Sequence, residues 1–157
     1  MYFNKKIWIL LGLLSIIFHI FLIFSGLIPN LISRPLHMAL AIPWVFIYRN
    51  QIVKYFYLNF TLVLIGIFFC LWIAFNHNPI ADQYGFIENN FQFFVSLFLI
   101  FLVLEMARRC VGYPLPLVAL IALIYGVFGT FIPGEFGHPG IPLNSFFGNL
   151  VFAEGGI

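Results

Sequence analysis

The sequence predicts an all-α integral membrane protein, a bundle of about five transmembrane helices followed by a short amphipathic C-terminal helix. Three observations predict it. Hydrophobic residues make up 63% of the chain and charged residues only 8%, where soluble domains carry roughly a quarter charged. The apolar residues gather in five long runs, and a hydrocarbon layer of ~30 Å takes ~20 helical residues to cross. The runs show no alternation of period two and are too long for barrel strands, so helices remain as the way to satisfy backbone hydrogen bonds in lipid.

The spans fall at about residues 7–27, 33–48, 56–75, 91–107 and 115–132. Lys5 and Lys6 precede the first span as they would a secretory signal. Its apolar core is longer than a signal's, however, and no small-x-small cleavage site follows before Pro29, so it reads as a retained anchor. The second and fourth runs are short when counted strictly. They reach full length if residues 31–35 and 105–106 join them, with Arg34 and Glu105 snorkelling toward headgroups. Short connections make sequential helices antiparallel neighbours, and the link at 108–114 leads straight into the fifth span. Residues 76–90, with Asn78-Pro79 and Gly85, form the longest polar gap. Beyond Pro133, Gly134, Gly137, Pro139, Gly140 and Pro142 spell a loop. Leu143, Phe146, Phe147, Leu150 and Val151 then recur on one helical face, with Asn144, Ser145, Gly148 and Asn149 opposite. This helix is too short to span and is expected at the outer interface or against a partner. The chain thus divides into a membrane domain, 1–134, and a periplasmic loop with amphipathic segment, 135–157.

Charge sets the direction. Lys5, Lys6, Arg49, Lys54, Arg108 and Arg109 fall on one side of the spans and only Arg34 on the other. Basic residues stay cytoplasmic, which places the amino terminus inside and the carboxyl terminus outside. Cys70 and Cys110 then lie at opposite depths and cannot form a disulfide. No basic cluster suggests nucleic acid.

Polar groups deep in a bilayer are the first functional suspects. His19 is the ionisable residue nearest the middle of a span, on a seam with Gly12, Ser15 and Gly26. Small residues let helices approach and a histidine there can hydrogen-bond across, so packing is the favoured reading. A haem held by His19 and His37 is disfavoured. Counted from the strictly apolar runs, the second of which starts at Leu36, His37 lies about two residues from the outer end of its helix and His19 about eight from its own, roughly 9 Å deeper. Ala119, Ala122, Gly126 and Gly129 form a second small-residue seam, suited to a tight helix contact within this chain or with another. Glu105, Arg108 and Arg109 share one face at the end of the fourth span, where an ion pair and the helix dipole account for them and partner docking is the sharper alternative. No phosphate loop, metal motif or activated nucleophile is present in the sequence, and no Asp, Glu, Lys or Arg sits at mid-depth, so catalytic, cofactor and metal sites are not expected.

Residues Leu104-Glu105-Met-Ala-Arg108-Arg109-Cys-Val-Gly112-Tyr-Pro-Leu115-Pro116 resemble the signature of fused permeases of tripartite ATP-independent periplasmic (TRAP) transporters. Tyr125-Gly-Val-Phe128-Gly129-Thr-Phe-Ile-Pro133-Gly134, then His138-Pro-Gly140 and Glu154-Gly155, follow in the family's order, and Arg34-Pro-Leu-His37 resembles its second-helix entry. Thr130 and Pro139 depart from it, where a proline and an arginine are expected. The resemblance is to the amino-terminal, small-subunit-like part of permeases of the TAXI-associated type. It implies a scaffold that buttresses a large subunit carrying the substrate and ion sites, while a periplasmic solute-binding protein delivers the solute. The chain stops just after Glu154-Gly155, where fused members continue, so the expectation is either a separate large subunit or a truncated product.

The expected function is therefore a non-enzymatic membrane subunit of a secondary transporter in a bacterial inner membrane. Its expected partners are a large TRAP permease subunit, a periplasmic solute-binding protein and membrane lipids, with no nucleic acid. The rivals are a small integral-membrane enzyme or redox protein using His19, His37, His77 or Asp82, and a non-functional split-gene product.

Overall fold

A computed structural model describes residues 5–26, 28–48 and 55–153. It is all-α, with no strand among the described residues. Five helical segments are long and apolar enough to cross a membrane: Lys5–Ser25, Asn30–Tyr48, Phe56–Phe75, Asn90–Val111 and Pro114–Phe131. Contacts divide the chain into two compact units, with the boundary in sequence between His77 and Asn78.

The first unit holds α1 (Lys5–Ser25), α2 (Asn30–Pro43) with a π-helical turn (Trp44–Tyr48), and α3 (Phe56–Phe75). Gly26, at φ 55°, ends α1 in a left-handed conformation that carries no penalty without a Cβ. Pro29 then opens α2, its carbonyl accepting from Ile32 and Ser33. The second span thus starts at Asn30, recruiting the residues it needs to reach full length. The π turn follows Pro43 directly, where the missing N–H and the ring's clash with the carbonyl four residues back disturb the helical ladder. The main contact joins α2 to α3. Asn59, Val63, Gly66, Cys70 and Ile73 of α3 are buried at alternating spacings of four and three, the pattern of two helices meeting along a narrow stripe. In contrast, α1 buries only Trp8, whose indole meets Trp44 at 5.2 Å and Tyr48 at 5.0 Å between ring centroids.

The second unit holds α4 (His77–Ala81, which begins on the last residue of the first unit), α5 (Asn90–Val111), α6 (Pro114–Phe128) with a 3₁₀ turn (Gly129–Phe131), and α7 (Leu143–Val151). At the start of α5 the Asn89 side chain accepts from the Gln92 N–H, and the Gln92 side chain accepts from the Glu88 N–H. This is a variant of the capping box. Gln92 and Gln83 are joined by a further hydrogen bond, as are Gln83 and Glu88, so buried Gln92 is satisfied on both sides of its amide. Gly112, at φ 95°, ends α5, and Pro114 sits in the first turn of α6, the Gly-then-Pro order that turns a chain between helices.

The tail differs from expectation. The amphipathic helix is expected at the outer interface or against a partner; in the structure α7 packs on α5 and α6 of its own unit. Its buried centre is Gly148, from the polar side of the expected pattern, and Val151, from the apolar side, with Phe152 just beyond. The cause is backbone-level docking. Ile87 N–H donates to Asn144 O, the Asn144 side chain donates back to Ile87 O, and Gly148 lies against the Gly85 carbonyl. The aromatic stripe is used as well, with Phe147 edge-on to Phe93 at 5.5 Å.

Candidate functional site

The seam on α1 faces α2. A Cβ on Gly12 would sit 3.6 Å from the Trp44 ring, and His19 reaches His37, the two imidazoles standing 4.6 Å apart at 82°. His19 Nε2 and His37 Nδ1 are hydrogen-bonded directly. The expected depth mismatch is therefore overturned. It was counted from a second span taken to begin near His37, whereas α2 begins at Asn30. His19 precedes the end of α1 by six residues and His37 follows the start of α2 by seven, which leaves them level to about 1.5 Å. Gly26, placed on the same seam in the sequence, instead terminates the helix, and a Cβ there would meet nothing within 4 Å among the described residues.

The proton arrangement follows from the partners. His19 Nδ1 lies 2.6 Å from Ser15 O, a pure acceptor, so Nδ1 carries a hydrogen and donates. In the neutral ring Nε2 is then the acceptor, and His37 Nδ1 donates to it. The chain Ser15–His19–His37 ends on the Nε2 of His37, an exposed residue. A single metal held between both rings would need the nitrogens about 4 Å apart, twice a metal–nitrogen bond. Here the two nitrogens bind one another instead.

The second seam serves the chain's own tail. A Cβ on Gly126 would lie 2.5 Å from ring carbons of Phe146, and one on Gly129 would collide with the His138 ring. Ala119 is half-buried and Ala122 exposed. The His138 ring touches two carbonyls, Nδ1 at 2.7 Å from Pro139 O and Nε2 at 3.1 Å from Tyr125 O. Both nitrogens can donate only in the imidazolium, and these bonds, Pro139 first, raise the His138 pKa above its ordinary 6.5. Tyr125 closes the loop from the other side, its hydroxyl donating to Phe136 O at 2.8 Å.

At the end of α5, Glu105 gathers both arginines. Arg108 binds it bidentately, Nε and Nη2 each 2.7 Å from a carboxylate oxygen, and Arg109 Nε is 2.7 Å from Oε1. Arg108 also approaches Tyr113, Nη1 to hydroxyl at 3.4 Å with the guanidinium 5.5 Å from the ring centre. The helical spacing of the three charges is thus realised as one cluster, with Tyr113 as a member the sequence did not single out.

The other two rival residues stand apart from that pair in sequence. His77 Nδ1 meets Ala74 O at 3.0 Å and Asp82 is exposed. No group of three His, Cys, Asp or Glu fit to hold a metal occurs among the described residues. Buried Asn59 was missed by the sequence reading; its Oδ1 has no partner among the described residues. Arg49, Lys54, Glu154 and Gly155, used for orientation and for the family resemblance, lie outside the described residues. Comparison with protein-family models, with curated proteins and with solved structures gives no match to this chain.

Proposed function

We propose that this chain is a small, non-catalytic scaffold subunit, or the amino-terminal part, of a TRAP-type secondary solute transporter, and that it supports a separate large transport subunit. It would lie in a bacterial inner membrane with its amino terminus cytoplasmic and its carboxyl terminus periplasmic. The orientation rests on the distribution of basic residues and the family on the motifs at 104–116 and 125–140. The observation that carries the reading is α6. With its 3₁₀ turn it is long enough to span, has Ala119 and Ala122 along one side, and among the described residues buries only Gly129. Lipid gives helices no hydrophobic reason to associate, so such a face serves close packing with a neighbour.

The test is co-expression with a large permease encoded beside it, and purification through a tag on this chain. The large subunit is expected to co-purify in mild detergent, and deletion of this chain to abolish solute uptake. Absence of co-purification together with unchanged uptake ends the proposal.

One observation favours a second reading. The His19–His37 pair leaves an open imidazole nitrogen on a membrane-spanning unit, which a small redox protein or enzyme would use. A visible absorbance band in the purified protein that disappears in His37→Ala would select this reading over the scaffold.

A further inference from the structure

Between α5 and α6 runs a groove of about 370 Å³. Phe101 and Leu104 on one helix and Leu117 and Leu120 on the other form its apolar length, and Arg108 and Tyr113 close one end. Its walls are open to the surroundings: Phe101 is 54% exposed and Leu117 57%. On two spanning helices that opening faces the acyl chains of the bilayer.

The closed end carries charge. One carboxylate stands against two guanidiniums, so the Glu105–Arg108–Arg109 cluster is net positive. Arg108 has five N–H groups. Nε and Nη2 each give one to Glu105, and Nη1 gives one to Tyr113. One N–H on each terminal nitrogen is left, and these two form the fork that matches two oxygens of a phosphate. Glu105 and the Tyr113 ring fix the plane of that fork in advance. Arg108 is three residues from the end of α5, about 4.5 Å along the axis, which is headgroup level if the helix spans.

From this we infer that the groove is a binding site for one anionic phospholipid, its acyl chain along Phe101, Leu104, Leu117 and Leu120 and its phosphate on the outer fork of Arg108. The site is amphipathic in the same order as the lipid, apolar over most of its length and cationic at one end. Basic pockets between spanning helices recognise anionic headgroups for this reason. The inference depends on membrane insertion alone and is independent of the transporter reading.

The test is native mass spectrometry of the full chain in detergent with added phosphatidylglycerol, or phosphatidylcholine of the same acyl chains, using wild type, Arg108→Gln and Leu117→Trp. Wild type is expected to retain phosphatidylglycerol about tenfold more strongly than phosphatidylcholine, whose choline cation would stand beside the net-positive cluster. Arg108→Gln is expected to lose that preference, and Leu117→Trp, which fills the groove at an exposed position, to weaken both lipids. Equal retention of the two lipids by wild type overturns the inference, as does unchanged retention in Leu117→Trp. Displacement of the lipid by inorganic phosphate alone also overturns it, because the apolar groove would then contribute nothing. If Arg108→Gln loses its helical circular dichroism, the wild-type lipid pair and Leu117→Trp decide the matter.

Discussion

The two small-residue seams look alike in sequence and do opposite work. On α1, Gly12 lies across from the Trp44 ring beyond α2, and the contact is completed by a polar bond between His19, itself held to the Ser15 carbonyl, and His37. On α6, Gly126 and Gly129 make room for side chains of the chain's own tail, Phe146 and His138. The first seam is helix against helix, while the second is a pair of sockets. A spacing of three and four marks a close approach without saying whether a neighbouring helix or the chain's own tail fills it.

The sharpest way to break the second region is at the tail's other contact. A Cβ on Gly148 would lie 2.9 Å from the Gly85 carbonyl carbon, and both sides of that contact are backbone. Gly148→Ala is therefore expected to cost about 1–3 kcal/mol by overpacking, read as a lower midpoint of thermal or denaturant unfolding and faster proteolysis of residues 135–153. Gly126→Ala meets only the far edge of the Phe146 ring, which can turn aside, so its cost is expected to be smaller. Equal losses for the two would mean the tail is held by side-chain packing rather than by close backbone contact.

That comparison also shows what the sequence carries. The five spans were legible because each is a run of apolar residues closed by a turn former, and Gly112 followed by Pro114 marks a helix stop and start in the letters themselves. The Asn89-x-x-Gln92 cap was equally legible and passed unnoticed inside what looked like a polar loop. The His19–His37 contact was hidden by a start point. Pro29 and Asn30 open α2 well before its hydropathy rises, and depths counted from the apolar run put His37 in the wrong place. The face that α7 buries was hidden for another reason. Hydrophobic periodicity ranks side chains, whereas Gly148 and Asn144 dock through backbone carbonyls and amides, which every residue owns.

The first region offers the next effect in size. Side-chain hydrogen bonds between spanning helices contribute about 0.6 kcal/mol on average and up to ~1.7. A double-mutant cycle of His19→Ala and His37→Ala, followed by unfolding in detergent, is expected to give a coupling in that range. The single variants are expected to lose at least as much as the pair, because each leaves one imidazole without its partner. A coupling of zero would mean the rings meet without stabilising the contact.

Gly12→Ala should sharpen the contrast from the other direction. Its added methyl would rest 3.6 Å from Trp44, ordinary van der Waals contact, with no positive φ to strain. Since alanine also favours the helix by up to ~1 kcal/mol, the variant is expected to match or slightly exceed wild type in the same unfolding measurement. A clear loss would show that the α1–α2 seam is as tight as the tail's glycine contact.

The smallest effect concerns His138, a partly exposed ring on the loop after α6. Its pKa is raised by accepting carbonyls of Pro139 and Tyr125, so the folded loop binds the proton more tightly than the unfolded chain does. The stabilisation is then full below the unfolded value near 6.5 and fades as pH climbs through the higher folded value. Hydrogen exchange of residues 132–140, corrected for the intrinsic pH dependence of exchange, is expected to show falling protection as pH rises through that window. His138→Phe, which keeps a ring beside Gly129 and cannot donate, is expected to flatten the profile. A profile that rises with pH, or one unchanged by the substitution, would mean the two carbonyls do not hold the proton.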